Sequence, residues 1–174
     1  MQGQFVPNDT PRPVRPEVQA RQSVAPRGSE EEPMSADPRD LISADLFEKL
    51  TERVMKDEGH DREMAKRIIG QTLVFLAACA QNPGAKLAPS NATDPGWHAF
   101  ILHTKAYAEF CNRVAGRFIH HLPIMNDDIR SGRALTRTKE ALQRTGYPVD
   151  EELWPEAPTC MNTCNHPCHD SDDD

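Results

Sequence analysis

The sequence predicts an all-α fold, a compact bundle of four main helices, on three observations. Between Leu41 and Trp154 apolar residues recur at steps of three and four, the period of a helix with one buried face. No segment alternates with period two for long enough to make a sheet. Residues that start and stop helices bracket each periodic segment. There are no internal repeats.

Ser43 is a good N-cap, and a first helix runs from it to about residue 57, with Leu46, Phe47, Leu50 and Val54 on one stripe. Gly59 ends it. Asp61 caps a second helix over 62–81, where Met64, Ile68, Thr72, Phe75, Leu76 and Cys79 are spaced for burial. Asn82-Pro83-Gly84 stops it, and a polar loop leads to Asp94. Pro95, at a favoured early position, opens a third helix expected to reach about residue 121, before Pro123. At about 100° per residue, Trp97, Phe100, Thr104, Tyr107, Ala108, Cys111, Val114, Ala115, Phe118 and Leu122 fall in one stripe of about seven turns. That stripe makes the third helix the one the others should pack around. A fourth helix is expected over 127–145 with Gly146 at C′, then a return over 147–154 with one turn through 150–153.

Composition sets the limits of the domain. A length of 174 residues favours one domain with tails. The first 39 residues hold seven of the fifteen prolines and only scattered aliphatics, so residues 1–38 are expected to be disordered. The helical domain is then 39–156, and 157–174 is a Cys/His-rich acidic tail. Met34, followed at once by Ser-Ala-Asp-Pro and helical patterning, makes the stretch before it either a genuine tail or an extension upstream of the true start. The net charge of −7 is concentrated at the ends, since Asp170, Asp172, Asp173 and Asp174 alone supply four negative charges. The longest apolar run, 73–80, is too short to span a bilayer, and no secretory signal opens the chain. Of five cysteines, Cys79 and Cys111 lie in helical patterns and the other three bunch at the end, which suits a reducing cytoplasm rather than a disulfide framework.

The third helix carries the richest motif: Asp94, Trp97-His98, Tyr107, Cys111, Gly116 and a histidine at 121. In this order it resembles the helical domain of glycine-rich-domain-containing proteins of plants, to which uncharacterised actinobacterial proteins are related. The resemblance covers about thirty residues closely and implies the helical fold rather than an activity. Where that pattern has a second histidine and an acidic residue before the cysteine, this chain has Phe100 and Phe110, and the glycine-rich segment is absent.

Three constellations could carry chemistry. His98, Cys111 and His121 are zinc-type ligands, but thirteen residues separate His98 from Cys111, roughly 140° around a straight helix. Either a kink near Pro95-Gly96 gathers them, or Cys111 is a small core residue and His98 a hydrogen-bonded histidine near the helix start. In the tail, Cys160, Cys164 and Cys168 recur every fourth residue with His166 and His169 between or beside them, a ligand density suited to zinc or copper. The competing reading is a flexible tail with reactive thiols. On the fourth helix Arg130, Arg133, Arg137 and Arg144 form a stripe that could hold RNA phosphates or another anion, or be a solvated face. No nucleophile elbow, phosphate loop or HExxH setting is present. The reading that follows is a cytoplasmic binding or scaffold module for a protein partner, off the membrane, with a soft-metal site in its tail. A small metal-dependent enzyme with a pocket lined by His98, Tyr107 and His121 is the alternative.

Overall fold

In the computed structural model the described residues are 36–122, 126–155 and, for the backbone alone, 168–169. They belong to one unit spanning residues 33–174 and form six α-helices, so the fold is all-α as expected. No helix among them is long and apolar enough to cross a membrane. The disorder expected of residues 1–38 lies outside the described residues except at 36–38. There Asp37 caps a 3-10 turn, Pro38–Leu41, so the folded chain starts slightly earlier than expected.

Helices α1 (Ala44–Glu58) and α2 (Arg62–Gln81) follow their cap residues. Ser43 and Asp61 accept the Leu46 and Met64 N–H groups, and Gly59 closes α1 at φ 73°. Helix α2 is buried on every side from Gln71 to Cys79. A helix apolar all round belongs inside a fold. This corrects the sequence expectation: α1, α3, α4 and α6 pack around α2, not around the third helix.

The expected third helix is two. Helix α3 (Asp94–Leu102) ends at His103, helix α4 (Thr104–Ala115) follows, and Gly116 caps α4 at φ 69°. A straight helix over 95–121 would be about 40 Å long against about 30 Å for α2, and its end would overhang the core. Breaking it keeps Trp97, Phe100, Tyr107 and Cys111 buried but turns Thr104 and Ala108 to solvent and leaves Phe118 39% exposed. The expected burial of Phe118 is therefore wrong. Phe100 and Phe110, the two departures from the resembled pattern, pack edge to face at 5.2 Å in the core.

Helix α3 lies against α2 at backbone distance. A Cβ on Gly96 would sit 2.2 Å from Thr72 Oγ1, and that hydroxyl lies 3.0 Å from Thr93 O. The fourth helix is also divided, into α5 (Asp127–Arg130) and α6 (Arg133–Gln143), because Gly132 takes φ 75° between them. The return segment turns at Glu151–Leu153 and docks on α2, where Trp154 Nε1 donates to Gln71 Oε1 at 2.9 Å. Two short strands, β1 (His120–His121) and β2 (Cys168–His169), pair antiparallel.

Candidate metal centre

Two separate stretches of chain build the site. The first is the start of α3. Ahead of it, the Ser90 and Thr93 N–H groups each donate to the other residue's hydroxyl at 3.1 Å, and the Asp94 N–H donates to Ser90 O at 3.0 Å. Asp94 is thereby fixed in a buried position, and His98, four residues on, shares its helix face. The second is the chain after Gly116, which turns back toward α3. Tyr107 Oη donates to Ile119 O at 2.6 Å and accepts from Trp97 Nε1 at 2.8 Å, with all three residues buried. Burial raises the Tyr107 pKa far above the ordinary phenol value, so the hydroxyl remains a neutral donor. This bridge ties residue 119 to α3 and α4 and delivers His121 to Asp94.

His121 Nε2 lies 2.9 Å from Asp94 Oδ1, and His98 Nδ1 lies 3.7 Å from Asp94 Oδ2. The two imidazoles stack at 4.4 Å and 29°, with the Trp97 ring tilted against His121 at 4.2 Å. One donor atom from each of Asp94, His98 and His121 lies within 4.8 Å of the other two. Donors on a tetrahedral zinc with bonds of about 2.0–2.1 Å sit about 3.3 Å apart, and the two histidine distances, 2.9 Å to Oδ1 and 3.7 Å to Oδ2 of Asp94, lie on either side of that value. The side chains of Asp94 and His121 are 11% and 7% exposed and that of His98 is 53% exposed. The cluster is closed at the back and open on the His98 side.

Of the expected His98, Cys111 and His121 group, the structure brings the two histidines together and leaves Cys111 out. The Cys111 thiol is buried, which raises its pKa, and its neighbours are Tyr107 and the Ile119 backbone. It is a core residue supporting the turn. Asp94 takes the third place, and its spacing of four from His98 was the signal in the sequence. The break at His103 and the turn at Gly116 gather the pair; a kink at Pro95-Gly96 does not. The expected pocket of His98, Tyr107 and His121 does not form, because Tyr107 is sealed in the core while His98 faces solvent.

The arginine stripe is interrupted at Gly132, and Arg130, Arg133 and Arg137 are engaged locally. Arg130 pairs with Asp127, while Arg133 and Arg137 both pair with Asp128, whose carboxyl they hold below its ordinary pKa. Arg137 also donates to Lys86 O at 2.7 Å. Arg144 is exposed at the C-terminal end of α6. Among the tail ligands, Cys160, Cys164 and His166 lie outside the described residues. Cys168 and His169 are placed by their backbone, opposite His121 and His120.

Residues 39–159 match the model of a family described as UCP032817-like. The matched stretch contains Asp94, His98 and His121. No curated protein and no solved structure matches the chain.

Proposed function

The chain belongs to the UCP032817-like family, and from that premise we propose that its helical domain is a metal-binding module holding one divalent transition-metal ion at Asp94, His98 and His121. The observation that carries this reading is the convergence of one carboxylate oxygen and two imidazole nitrogens within 4.8 Å from segments 27 residues apart, held by a buried hydrogen-bonded bridge. The Asp94 carboxylate lies within hydrogen-bond distance of His121 Nε2, at 2.9 Å, and a divalent cation among the three side chains would replace that hydrogen bond with coordination and neutralise the carboxylate. Oxygen and nitrogen donors in this ratio suit zinc or ferrous iron, and lack the soft sulfur that selects Cu(I). Zinc is the assignment we favour over copper.

The role is binding rather than catalysis. What supports this is that the one phenol near the cluster, Tyr107, is spent on Trp97 and Ile119 and is unable to act on a substrate beside His98. A metal here would pin α3 to the chain after α4 and make the module's surface a fixed scaffold for a protein partner.

The test is metal analysis of protein purified without a histidine tag. Wild type should carry about one zinc per chain after dialysis. His98→Ala, at an exposed position that leaves the core untouched, should lose it while keeping its helical circular dichroism. A wild-type protein without bound metal after incubation with zinc would refute the proposal, as would a His98→Ala variant with full content.

A further inference from the structure

The side chains of Asp94 and His121 are 11% and 7% exposed, whereas that of His98 is 53% exposed. An ion held by the three is therefore walled by Asp94 and His121 and reached from solvent past His98. Helix α3 brings a second feature to that side. Leu102 stands four residues after His98 on the same face of the helix, and at 62% it is the more exposed of the two large apolar residues at the surface among those described. A helical side chain covers the surface over the turn N-terminal to its own Cα, so Leu102 lies along the approach to His98.

Charge decides what fits there. A divalent ion with one carboxylate and two neutral imidazoles keeps one positive charge in excess. The site also lies at the N-terminus of α3, the positive end of the helix dipole. Both favour an anionic donor. Helix α3 holds no lysine or arginine, the side chains that clamp a doubly charged phosphate, so a monoanion is the match. A carboxylate is ionised at neutral pH without first giving up a proton.

We propose that the metal centre is a receptor for an exogenous carboxylate carried on an apolar body, with the carboxylate oxygen on the ion and the apolar part against Leu102. The proposal rests on the metal-binding reading and names the ligand of that site. Three donors converge among the described residues, and zinc takes four. The carboxylate oxygen takes the fourth position by displacing a water molecule to solvent. No bond in the ligand breaks and no oxidation state changes.

The test uses the full chain loaded with cobalt(II), whose visible bands report the coordination of the ion, and the probes are acetate, 3-phenylpropanoate and inorganic phosphate. Both carboxylates should shift the bands saturably while cobalt stays bound. The phenylpropanoate should bind roughly 5–10-fold more tightly than acetate, because its ring covers apolar surface, and phosphate should bind no more tightly than acetate. Leu102→Ser, at an exposed position, should bring the phenylpropanoate down to the level of acetate and leave cobalt affinity unchanged. Bands that neither carboxylate moves would overturn the proposal and leave the three-ligand metal site standing. So would a thiolate-to-cobalt charge-transfer band before any probe is added, since a sulfur of the chain would then hold the fourth position. Equal binding of the two carboxylates, a preference that survives Leu102→Ser, or tighter binding of phosphate would overturn the assigned ligand class. A wild type that takes up no cobalt would refute the metal-binding reading itself, and the proposal with it.

Discussion

Replacing Tyr107 by Phe removes one oxygen atom from the core and leaves its shape nearly unchanged. That oxygen accepts from Trp97 Nε1 and donates to Ile119 O, and both partners are buried, at 0% and 1% exposure. Deleting it strands one buried donor and one buried acceptor. Each unsatisfied buried group costs about 1–3 kcal/mol, so the variant should lose about 2–6 kcal/mol, a large share of the roughly 5–15 kcal/mol typical of a domain. Because the bridge also delivers His121 to Asp94, zinc affinity should fall by about 10-fold or more, as for other groups that orient a ligand. Urea denaturation of the metal-free protein, followed by circular dichroism, measures the first effect, and zinc titration measures the second. A stability loss under about 1 kcal/mol would mean that both partners find water, and the bridge would not hold the turn. Normal zinc affinity in a destabilised variant would separate the bridge from the site.

Gly96→Ala should destabilise by about 1–3 kcal/mol, since the added Cβ meets Thr72 Oγ1 at 2.2 Å where α3 lies against α2; an unchanged urea midpoint would refute that packing. Phe118→Ala should cost only about 1–2 kcal/mol because the ring is 39% exposed, and a loss near that of a fully buried phenylalanine would place it back in the core. Arg67 donates to Asp150 at 2.7 Å and holds that carboxyl below its ordinary value of 3.8. The folded pKa is then below the unfolded one, so the pair stabilises the domain above that value and the contribution is lost as pH falls through the folded pKa. Asp150→Asn should therefore lower the urea midpoint at neutral and alkaline pH, leave it near that of wild type below the folded pKa, and flatten the acid limb between the two.

Where local chemistry decides, the sequence was a sufficient guide. Ser43, Gly59 and Asp61 cap α1 and α2 where expected, because side-chain caps and a left-handed glycine act within a few residues. The stripe Trp97, Phe100, Tyr107, Cys111 was also legible, but its spacing fits one long helix as well as two short ones. Nothing at His103 marks a break, which follows from the limited length of the core. Gly116 and Gly132, placed inside the expected third and fourth helices, are instead the turns that end α4 and divide the fourth helix, both at positive φ. Half of the site was readable too, since Asp94 and His98 are four apart on one helix. The approach of His121 was not, because it depends on a hydrogen bond between residues 107 and 119 that only the folded turn creates. The pairing of β1 with β2 left no pattern at all, as two residues are too few to alternate.

The most direct test of the account is the zinc content of tag-free full-length protein set beside that of an Asp94→Asn variant. The side-chain amide keeps the size of the carboxylate and removes its charge. Wild type should hold about one zinc per chain and the variant none, with the helical circular dichroism of both alike. Equal zinc in the two proteins, or none in either after incubation with the ion, would contradict the claim that Asp94, His98 and His121 form a metal centre.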